Sequence, residues 1–346
     1  MAINLLKINT MTTPSQSQST IFDVGIFGFI KILLRGTAQV MFQGSAWCGL
    51  FFIAGIFWGA YDSGLPYVAW GALLGLMVST TTGYILNLQQ EEGSEGLWGF
   101  NGVLVGCAFP TFMGNTVWMW LSLVLCAALT TWVRTGLNNV MRPWKVNSFT
   151  FPFVLCTWLF LLASHIMNSL PDLHSSSHLA HTISTAHTHL AMYDAWGVIK
   201  VWLKGISQVF LIDSWVTGLL FLIGLFISSR WAALWALIGS ALSMGMAVVM
   251  GAPIHNIDMG LYSFSAVLTA IALATVFYKP SWRSALWALV GVLVTVVVQA
   301  AMNVGMQPIG IATLTAPFCI ATWLFLLPMF QLDENHPDHS SWHQRS

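Results

Sequence analysis

The chain has 346 residues, of which 56% are hydrophobic and 7% charged, and its formal net charge is zero. Soluble globular proteins carry about 25% charged residues, so 12 basic and 12 acidic side chains cannot cover a water-facing surface of this size. The composition therefore excludes a soluble protein and predicts an all-α integral membrane protein. The sequence also contains no basic run, so we expect no nucleic-acid partner.

Residues 1–24 form the first segment, which is rich in Ser, Thr and Gln. This segment has neither the uninterrupted apolar core nor the small-residue cleavage site of a signal peptide. We therefore expect a disordered cytoplasmic tail, followed by a first membrane repeat over residues 25–167.

Apolar stretches of spanning length follow in two sets of five. The first set falls at 46–61, 65–82, 97–113, 115–133 and 149–167. The second set falls at 215–229, 231–250, 260–277, 284–302 and 314–330. Each set is preceded by a shorter apolar piece that carries two cations, at 24–43 and at 195–212. We expect these two pieces to form half-membrane pore helices.

A polar segment at residues 168–194 precedes a second membrane repeat at 195–330 and a cytoplasmic C-terminal tail at 331–346. Six His residues between His165 and His189 could bind Zn²⁺ or Ni²⁺, but their spacing is loose and no Cys joins them. We favour a solvated extracytoplasmic linker for this segment and expect no metal and no cofactor. The linker has no Lys or Arg, whereas most cations fall on the other side, so the positive-inside rule places both termini in the cytoplasm. The predicted location is a multi-pass position in the cell inner membrane.

Three blocks of the first half recur in the second half in the same order. Residues 34–57 align with 203–226, residues 95–109 with 259–273, and residues 148–162 with 313–327, at offsets of 169, 164 and 165. Because each half holds an odd number of spans, the second half must enter the membrane from the opposite side. The predicted fold is therefore ten transmembrane helices in two inverted five-helix repeats, each with a half-membrane pore helix.

The recurring residues are aromatic, amide and hydroxyl side chains rather than charged ones. The matched pairs are Gln39 and Gln208, Thr150 and Thr315, Phe100 and Phe264, and Leu104 and Leu268. Aromatic faces would form a flat slot, and amides, hydroxyls and backbone carbonyls along its edge would accept hydrogen bonds. The spans hold almost no ionisable side chain for a coupling ion. The pattern favours passive movement of a small, planar, neutral solute with N–H donors, such as urea or a simple amide.

These blocks resemble the urea transporter family. The resemblance is carried by GLWGFNGVLVG at 96–106, by the T-x-P-F motifs that begin at Thr150 and Thr315, and by the Gln-Val pairs at 39–40 and 208–209. It implies a channel of ten spans in inverted repeats that transports urea, lies in the lipid bilayer and assembles as a homotrimer with one pore per subunit. It also implies that the protein is not an enzyme.

The resemblance further implies which side chains contact the solute. They are Gln39, Val40, Phe42, Phe100, Leu104, Thr150, Gln208, Val209, Leu211, Phe264, Leu268 and Thr315. Leu211 stands at the position equivalent to Phe42, where the family pattern favours an aromatic residue, so we expect one slot to clamp the solute less tightly.

Two alternatives remain open at the level of the sequence. The first is a channel for another small neutral solute, such as a short amide, ammonia or water. The second is an ion-coupled carrier with the same inverted symmetry, for which His255 and Asp258 are the candidate coupling residues. A carrier would depend on a proton or sodium gradient, whereas a channel would not.

Overall fold

The computed structural model describes residues 21–167, 169, 194–330 and 332 of the chain. These residues form α-helices with short 3₁₀ and π turns, and they contain no strand, which confirms the predicted all-helical class. The predicted linker at 168–194 and the predicted tails at 1–24 and 331–346 lie outside the described residues, apart from a few positions at their edges. The last four residues of the predicted N-terminal tail, 21–24, belong to the first helix in the structure.

The first half of the described chain contains seven helices. They are α1 (Ile21–Gln39), α2 (Ala46–Asp62), α3 (Tyr67–Ile85), α4 (Gln90–Ser94), α5 (Phe100–Phe112), α6 (Val117–Met141) and α7 (Phe151–Ser164). The second half follows the same order with α8 (Ala195–Ser207), α9 (Trp215–Ser228), α10 (Arg230–Val249), α11 (Ile254–Asp258), α12 (Phe264–Ile271), α13 (Trp282–Met306) and α14 (Ala316–Leu326). A π turn at Ala272–Val276 extends α12.

Matched capping residues fix where several of these helices begin. Ser45 and Ser214 cap α2 and α9, and their hydroxyls accept from the backbone N–H three residues later. Thr116 and Ser281 do the same for α6 and α13. A side-chain oxygen at this position satisfies a backbone donor that the first helical turn leaves unpaired. The same local chemistry therefore begins equivalent helices in both halves.

Among the described residues, four helical segments are long and apolar enough to cross a membrane by length and composition. They are Tyr67–Ile85, Val117–Trp144, Arg230–Val249 and Trp282–Ile309. The α8–α9 pair adds a fifth if its two arms, bent by 74°, count as one broken span. The remaining predicted stretches coincide with apolar helices of 10–17 residues. Each predicted stretch thus contains a helix, while the number of ten crossings stays a prediction.

Sharp turns end α1 and α8 at equivalent positions. Phe42 and Leu211 adopt left-handed backbone conformations, with φ of 60° and 61°. The N–H of Phe42 donates to the carbonyl of Gln39 at 3.0 Å, and the N–H of Leu211 donates to that of Gln208 at 2.9 Å. Non-glycine residues rarely adopt this conformation. Its occurrence at both sites means that the fold turns the chain at the same point in each half.

Close approach of α3 to α5 depends on glycine. A Cβ added to Gly75 would meet the carbonyl oxygen of Gly102, and one added to Gly71 would meet the carbonyl oxygen of Gly106. Small residues spaced by four allow two helices to pack backbone to backbone, the usual device of membrane helices. This contact fixes the position of α5, which begins at Phe100.

Helices from the two halves also pack against each other directly. Phe52 of α2 lies 4.8 Å from Phe221 of α9, measured between ring centroids. The Thr217 hydroxyl of α9 donates to the carbonyl oxygen of Gly55 at 2.8 Å. The core is therefore shared between the halves and does not divide into two independent units.

Candidate functional site

Two threonine hydroxyls meet at the contact between the halves. Thr150 and Thr315 are the residues that precede α7 and α14, and their backbone angles nearly coincide, with φ and ψ of −89° and 8° and of −87° and 14°. A Pro stands in the first helical turn of each, as the T-x-P-F motif predicts. Neither side chain caps its own helix; instead the two Oγ1 atoms lie 2.7 Å apart in a buried hydrogen bond.

Two tryptophans make reciprocal contacts around this threonine pair. The indole N–H of Trp158 donates to the carbonyl of Ala312 at 2.9 Å. The indole N–H of Trp323 donates to the carbonyl of Asn147 at 3.0 Å. Trp323 is the counterpart of Trp158 and Ala312 is the counterpart of Asn147, because the members of each pair are 165 positions apart. Each half therefore donates to the other half the same hydrogen bond that it accepts from it. Such reciprocity is the property of an interface with a two-fold axis.

A cavity of about 210 Å³ opens on one side of the threonine pair. Five of the predicted solute-contacting residues line it: Gln39, Val40, Phe42, Phe100 and Thr150. The other lining residues were not predicted to contact the solute, although Leu97 and Phe318 belong to the quoted motifs. They are Gln89, Glu92, Glu95, Leu97, Arg134, Asn138, Asn139, Arg142, Asn147, Ser148, Phe149 and Phe318. One water needs about 15 Å³ of such volume, so the cavity has room for a small polar molecule.

The other seven predicted residues do not line this cavity. They are Leu104, Gln208, Val209, Leu211, Phe264, Leu268 and Thr315. All of them are buried except Leu211, which is half-buried. Thr315 still contacts the cavity-lining Thr150 through their shared hydrogen bond. The structure thus gathers five of the six first-half residues around one cavity, whereas Leu104 and the second-half residues lie outside its lining.

An aromatic cluster narrows the cavity beside Thr150. The ring of Phe42 makes edge-on contacts with Phe149, Phe277 and Phe318 at centroid distances of 6.3, 6.1 and 5.9 Å. Of this cluster, only Phe42 was predicted to contact the solute. Phe149 adjoins the T-x-P-F motif at Thr150 and Phe318 lies in the motif at Thr315, but the four rings come from separate parts of the chain and meet only in the fold.

Leu211 is one of several aliphatic residues at positions equivalent to the aromatic cluster. Residue for residue, Leu211, Leu314 and Met113 correspond to Phe42, Phe149 and Phe277. The predicted departure at Leu211 therefore belongs to a group of three substitutions. The two halves carry the same backbone turn with different side-chain chemistry around it.

The amide of Gln39 is anchored to the neighbouring helix α4. Its Nε2 donates to the backbone carbonyl of Glu95 at 3.1 Å, and Gln39 also lines the cavity. This arrangement satisfies the amide donor, whose burial without a partner would cost about 2–7 kcal/mol on transfer scales. The side chain thereby has the partner that the sequence analysis required and a place on the cavity wall.

An ion pair between buried Arg134 and half-buried Glu92 lies beside Phe100. The Arg134 guanidinium, on α6, lies 2.8 Å from the Glu92 carboxylate, on α4, and only 8% of the Arg134 side chain is exposed. The guanidinium carbon also lies 5.8 Å from the centre of the Phe100 ring. The predicted apolar stretch ends at residue 133, one residue before Arg134, but α6 continues to Met141 and includes this arginine.

The cavity can hold a small polar molecule by stacking and hydrogen bonding. Its lining combines aromatic rings, amide side chains and hydroxyl groups with four charged side chains, of which Arg134 and Glu92 form an ion pair. Among the residues that the structure describes, no group of three or more His, Cys, Asp or Glu side chains could bind a metal ion. The five cysteines are buried and unpaired.

Comparison with known proteins adds a family relationship to this geometry. The family model described as urea transporter matches residues 30–329. Urea transporter 1 of Ovis aries is 30% identical over 302 residues, which cover 86% of this chain and 77% of the sheep protein. Urea transporter 1 of Rattus norvegicus is 29% identical over 308 residues, which cover 87% of this chain and 77% of the rat protein.

Proposed function

Because the chain belongs to the urea transporter family, we propose that it is a passive channel through which urea crosses the membrane. Members of this family are transporters and not enzymes. The path would run between the two halves, through the cavity and past the threonine pair. The observation that carries this proposal is the cavity itself, because it joins predicted residues from α1, α5 and the start of α7 around one space.

In this proposal, urea stacks against aromatic rings and donates its N–H groups to oxygen acceptors. Phe100 and Phe42 would supply ring surfaces on the cavity side. The Thr150 and Thr315 hydroxyls, whose Oγ1 atoms lie 2.7 Å apart, would bond the solute in the middle of the path. Beyond them the path would pass Gln208, Val209, Leu211, Phe264 and Leu268. A planar neutral molecule with four N–H donors suits such a path.

We further propose that the fold is a ten-span inverted repeat. The equal order of helices, the matched caps and the reciprocal tryptophan contacts support it, since each relates a residue of one half to its counterpart in the other. On this reading α1 and α8 are half-membrane pore helices. The membrane repeats would span residues 25–167 and 195–330, in an inner membrane with both termini cytoplasmic. The assembly would be a homotrimer with one path in each subunit.

Urea efflux from proteoliposomes, followed by stopped-flow light scattering, tests the proposal. We expect fast efflux that is unchanged by an imposed proton or sodium gradient and is reduced by a close urea analogue. Efflux that requires a gradient would contradict the channel mechanism. Absence of urea efflux would contradict the choice of solute, and parallel assays with a short amide, ammonia and water would then test the neutral-solute alternatives.

One observation favours a second candidate, an ion-coupled carrier. The Arg134–Glu92 pair puts ionisable groups on the cavity wall, and buried ionisable groups within a membrane protein often serve coupling. This pair lies in the first half of the chain, whereas the coupling residues suggested by the sequence, His255 and Asp258, lie in the second half. The gradient-dependent part of the same efflux assay distinguishes the carrier from the channel.

A further inference from the structure

The ionised residues of the cavity have no ionised counterparts in the second half. Glu92, Glu95, Arg134 and Arg142 line the cavity, and the equivalent positions hold Asn256, Met259, Gln299 and Gln307. Backbone contacts fix this equivalence: the N–H of Leu97 donates to the Glu92 carbonyl at 2.9 Å, and that of Leu261 donates to the Asn256 carbonyl at 3.0 Å. The two halves therefore share a backbone while only the first half carries charge here.

Arg134 is the most deeply placed of these charges. Its guanidinium is held by Glu92 at 2.8 Å and stands over the Phe100 ring at 5.8 Å. Its counterpart Gln299 is also buried, and its Nε2 donates to Asn303 and Thr313 at 2.9 and 2.8 Å. The fold thus accepts either a charged or a neutral side chain at this point. Charge at residue 134 is consequently not a requirement of helix packing.

An aromatic wall that binds urea raises a problem of selectivity. The guanidinium ion is planar, has N–H donors on all sides and nearly matches urea in size. It also carries a positive charge, which the face of an aromatic ring attracts. A wall made only of phenylalanine and oxygen acceptors would therefore bind guanidinium at least as well as urea. Something other than shape has to keep the cation out.

We propose that Arg134, held by Glu92 against Phe100, is a specificity-determining residue that excludes planar cations of the guanidinium class. A guanidinium solute at that ring has to lie beside a fixed like charge or displace Arg134 from its carboxylate. Displacement leaves a buried ion without its partner, which is strongly unfavourable. Neutral urea meets neither obstacle. This inference rests on the proposed urea channel and adds the solute class that the channel rejects.

Fluxes of urea and of radiolabelled guanidinium through the same reconstituted protein test the inference. The double variant Arg134→Gln, Glu92→Gln replaces both partners of the ion pair by neutral amides, as Gln299 and Asn256 are in the second half, and leaves Glu95 and Arg142 in place. We expect the ratio of guanidinium to urea flux to rise at least about tenfold, the change that corresponds to about 1.4 kcal/mol. Arg134→Lys keeps the charge, and we expect it to retain the wild-type ratio.

A matched control removes an arginine–aromatic contact elsewhere. Arg283 lies over the ring of Trp282 at 5.6 Å, away from the cavity-lining residues, so Arg283→Gln should leave the flux ratio unchanged. An unchanged ratio in the double variant, or a raised ratio in Arg134→Lys, would overturn the inference while wild-type urea flux still supported the channel. A wild-type protein that passes no urea would overturn both.

Discussion

The contact between Thr150 and Thr315 shows how a short motif produces an inter-half hydrogen bond. In each T-x-P-F motif the proline lies in the first turn of a helix, and the preceding backbone turns through Phe149 or Leu314, both with φ of 51°. This geometry directs each threonine hydroxyl away from its own helix. The hydroxyl of the other threonine lies closest, at 2.7 Å. The Cys319 sulfur lies 3.4 Å from the Thr150 hydroxyl oxygen.

Replacing both threonines by valine should therefore cost less stability than the two single replacements added together. Thr150→Val or Thr315→Val leaves the other buried hydroxyl without its partner, and we expect each to lower stability by about 0.5–2 kcal/mol. The double variant removes both polar groups and should be less destabilised than the sum of the two single variants. Thermal unfolding of the detergent-solubilised protein measures the coupling.

The same variants test the threonines as part of the path. Loss of a hydrogen bond to the passing solute should slow urea efflux about fivefold, which corresponds to about 1 kcal/mol. Thr135→Val is the matched control, because its hydroxyl bonds only to the Thr131 carbonyl within α6. Wild-type efflux in the double variant, with the protein still folded, would remove Thr150 and Thr315 from the proposed path.

At the scale of single residues, the sequence indicated the matched polar pairs but not the ion pair. The T-x-P-F motifs predicted two threonines at equivalent helix starts because the motif is local. Arg134 and Glu92 are 42 positions apart, and the folded chain brings them within 2.8 Å of each other from α6 and α4. Hydropathy detects the apolar part of a helix and ends where the first charge occurs. A charge neutralised by a distant helix is therefore read as a loop residue.

At the scale of helices, the α3–α5 contact is the arrangement on which the cavity wall depends. Gly102 faces Gly75 and Ser79, and the Ser79 hydroxyl bonds to the Gly75 and Gly99 carbonyls at 2.9 and 3.3 Å. Glycine is unfavourable inside an isolated helix by about 0.5–1 kcal/mol relative to alanine. Its presence here is explained by the close approach that it permits between two backbones.

Gly102→Ala should destabilise the protein in spite of the higher helix propensity of alanine. The added methyl group would meet the Ser79 side chain and the Gly75 carbonyl, and we expect a loss of about 1–3 kcal/mol from overpacking. Gly136→Ala on α6 is the matched control, since a Cβ there meets no heavy atom within 4 Å. It should be neutral or slightly stabilising. Equal thermal unfolding temperatures for the two variants would contradict the packing argument.

The helices themselves were largely predictable, because apolar runs between capping residues are a local property of the sequence. Every predicted span contains an apolar helix. What the sequence could not give is the length of each helix, because the ends of α6 and α13 extend into polar residues that pack against other elements. It also did not predict the bend of 74° between α8 and α9.

At the scale of the whole molecule, the two halves are joined by contacts that each makes equally to the other. Trp158 and Trp323 donate across the contact to equivalent carbonyls, and Thr150 meets Thr315 between them. Such contacts join residues at matched positions of the two halves. The offsets read from the sequence suggested two copies of one unit, and the contact between Thr150 and Thr315, 165 positions apart, supports that prediction.

The proposed inverted topology predicts opposite membrane sides for the ends of α2 and α9. Ser63 follows α2 and Arg230 begins the helix after α9, and both side chains are exposed. If the second half enters the membrane from the opposite side, Ser63 faces outward and Arg230 faces the cytoplasm. The native cysteines are all buried, so background labelling by a membrane-impermeant maleimide should be low.

Ser63→Cys and Arg230→Cys should accordingly be labelled from opposite sides. In right-side-out vesicles we expect a maleimide to react with the cysteine at 63 and to reach that at 230 only after the membrane is permeabilised. Labelling of both from the outside would mean that the halves enter in the same direction, as a parallel repeat does. The ion pair of Arg134 and Glu92 would then lie on the same side of the membrane as its neutral counterparts Gln299 and Asn256. A channel whose two entrances differ in charge requires the inverted arrangement, so this labelling test bears on the selectivity mechanism as well as on the fold.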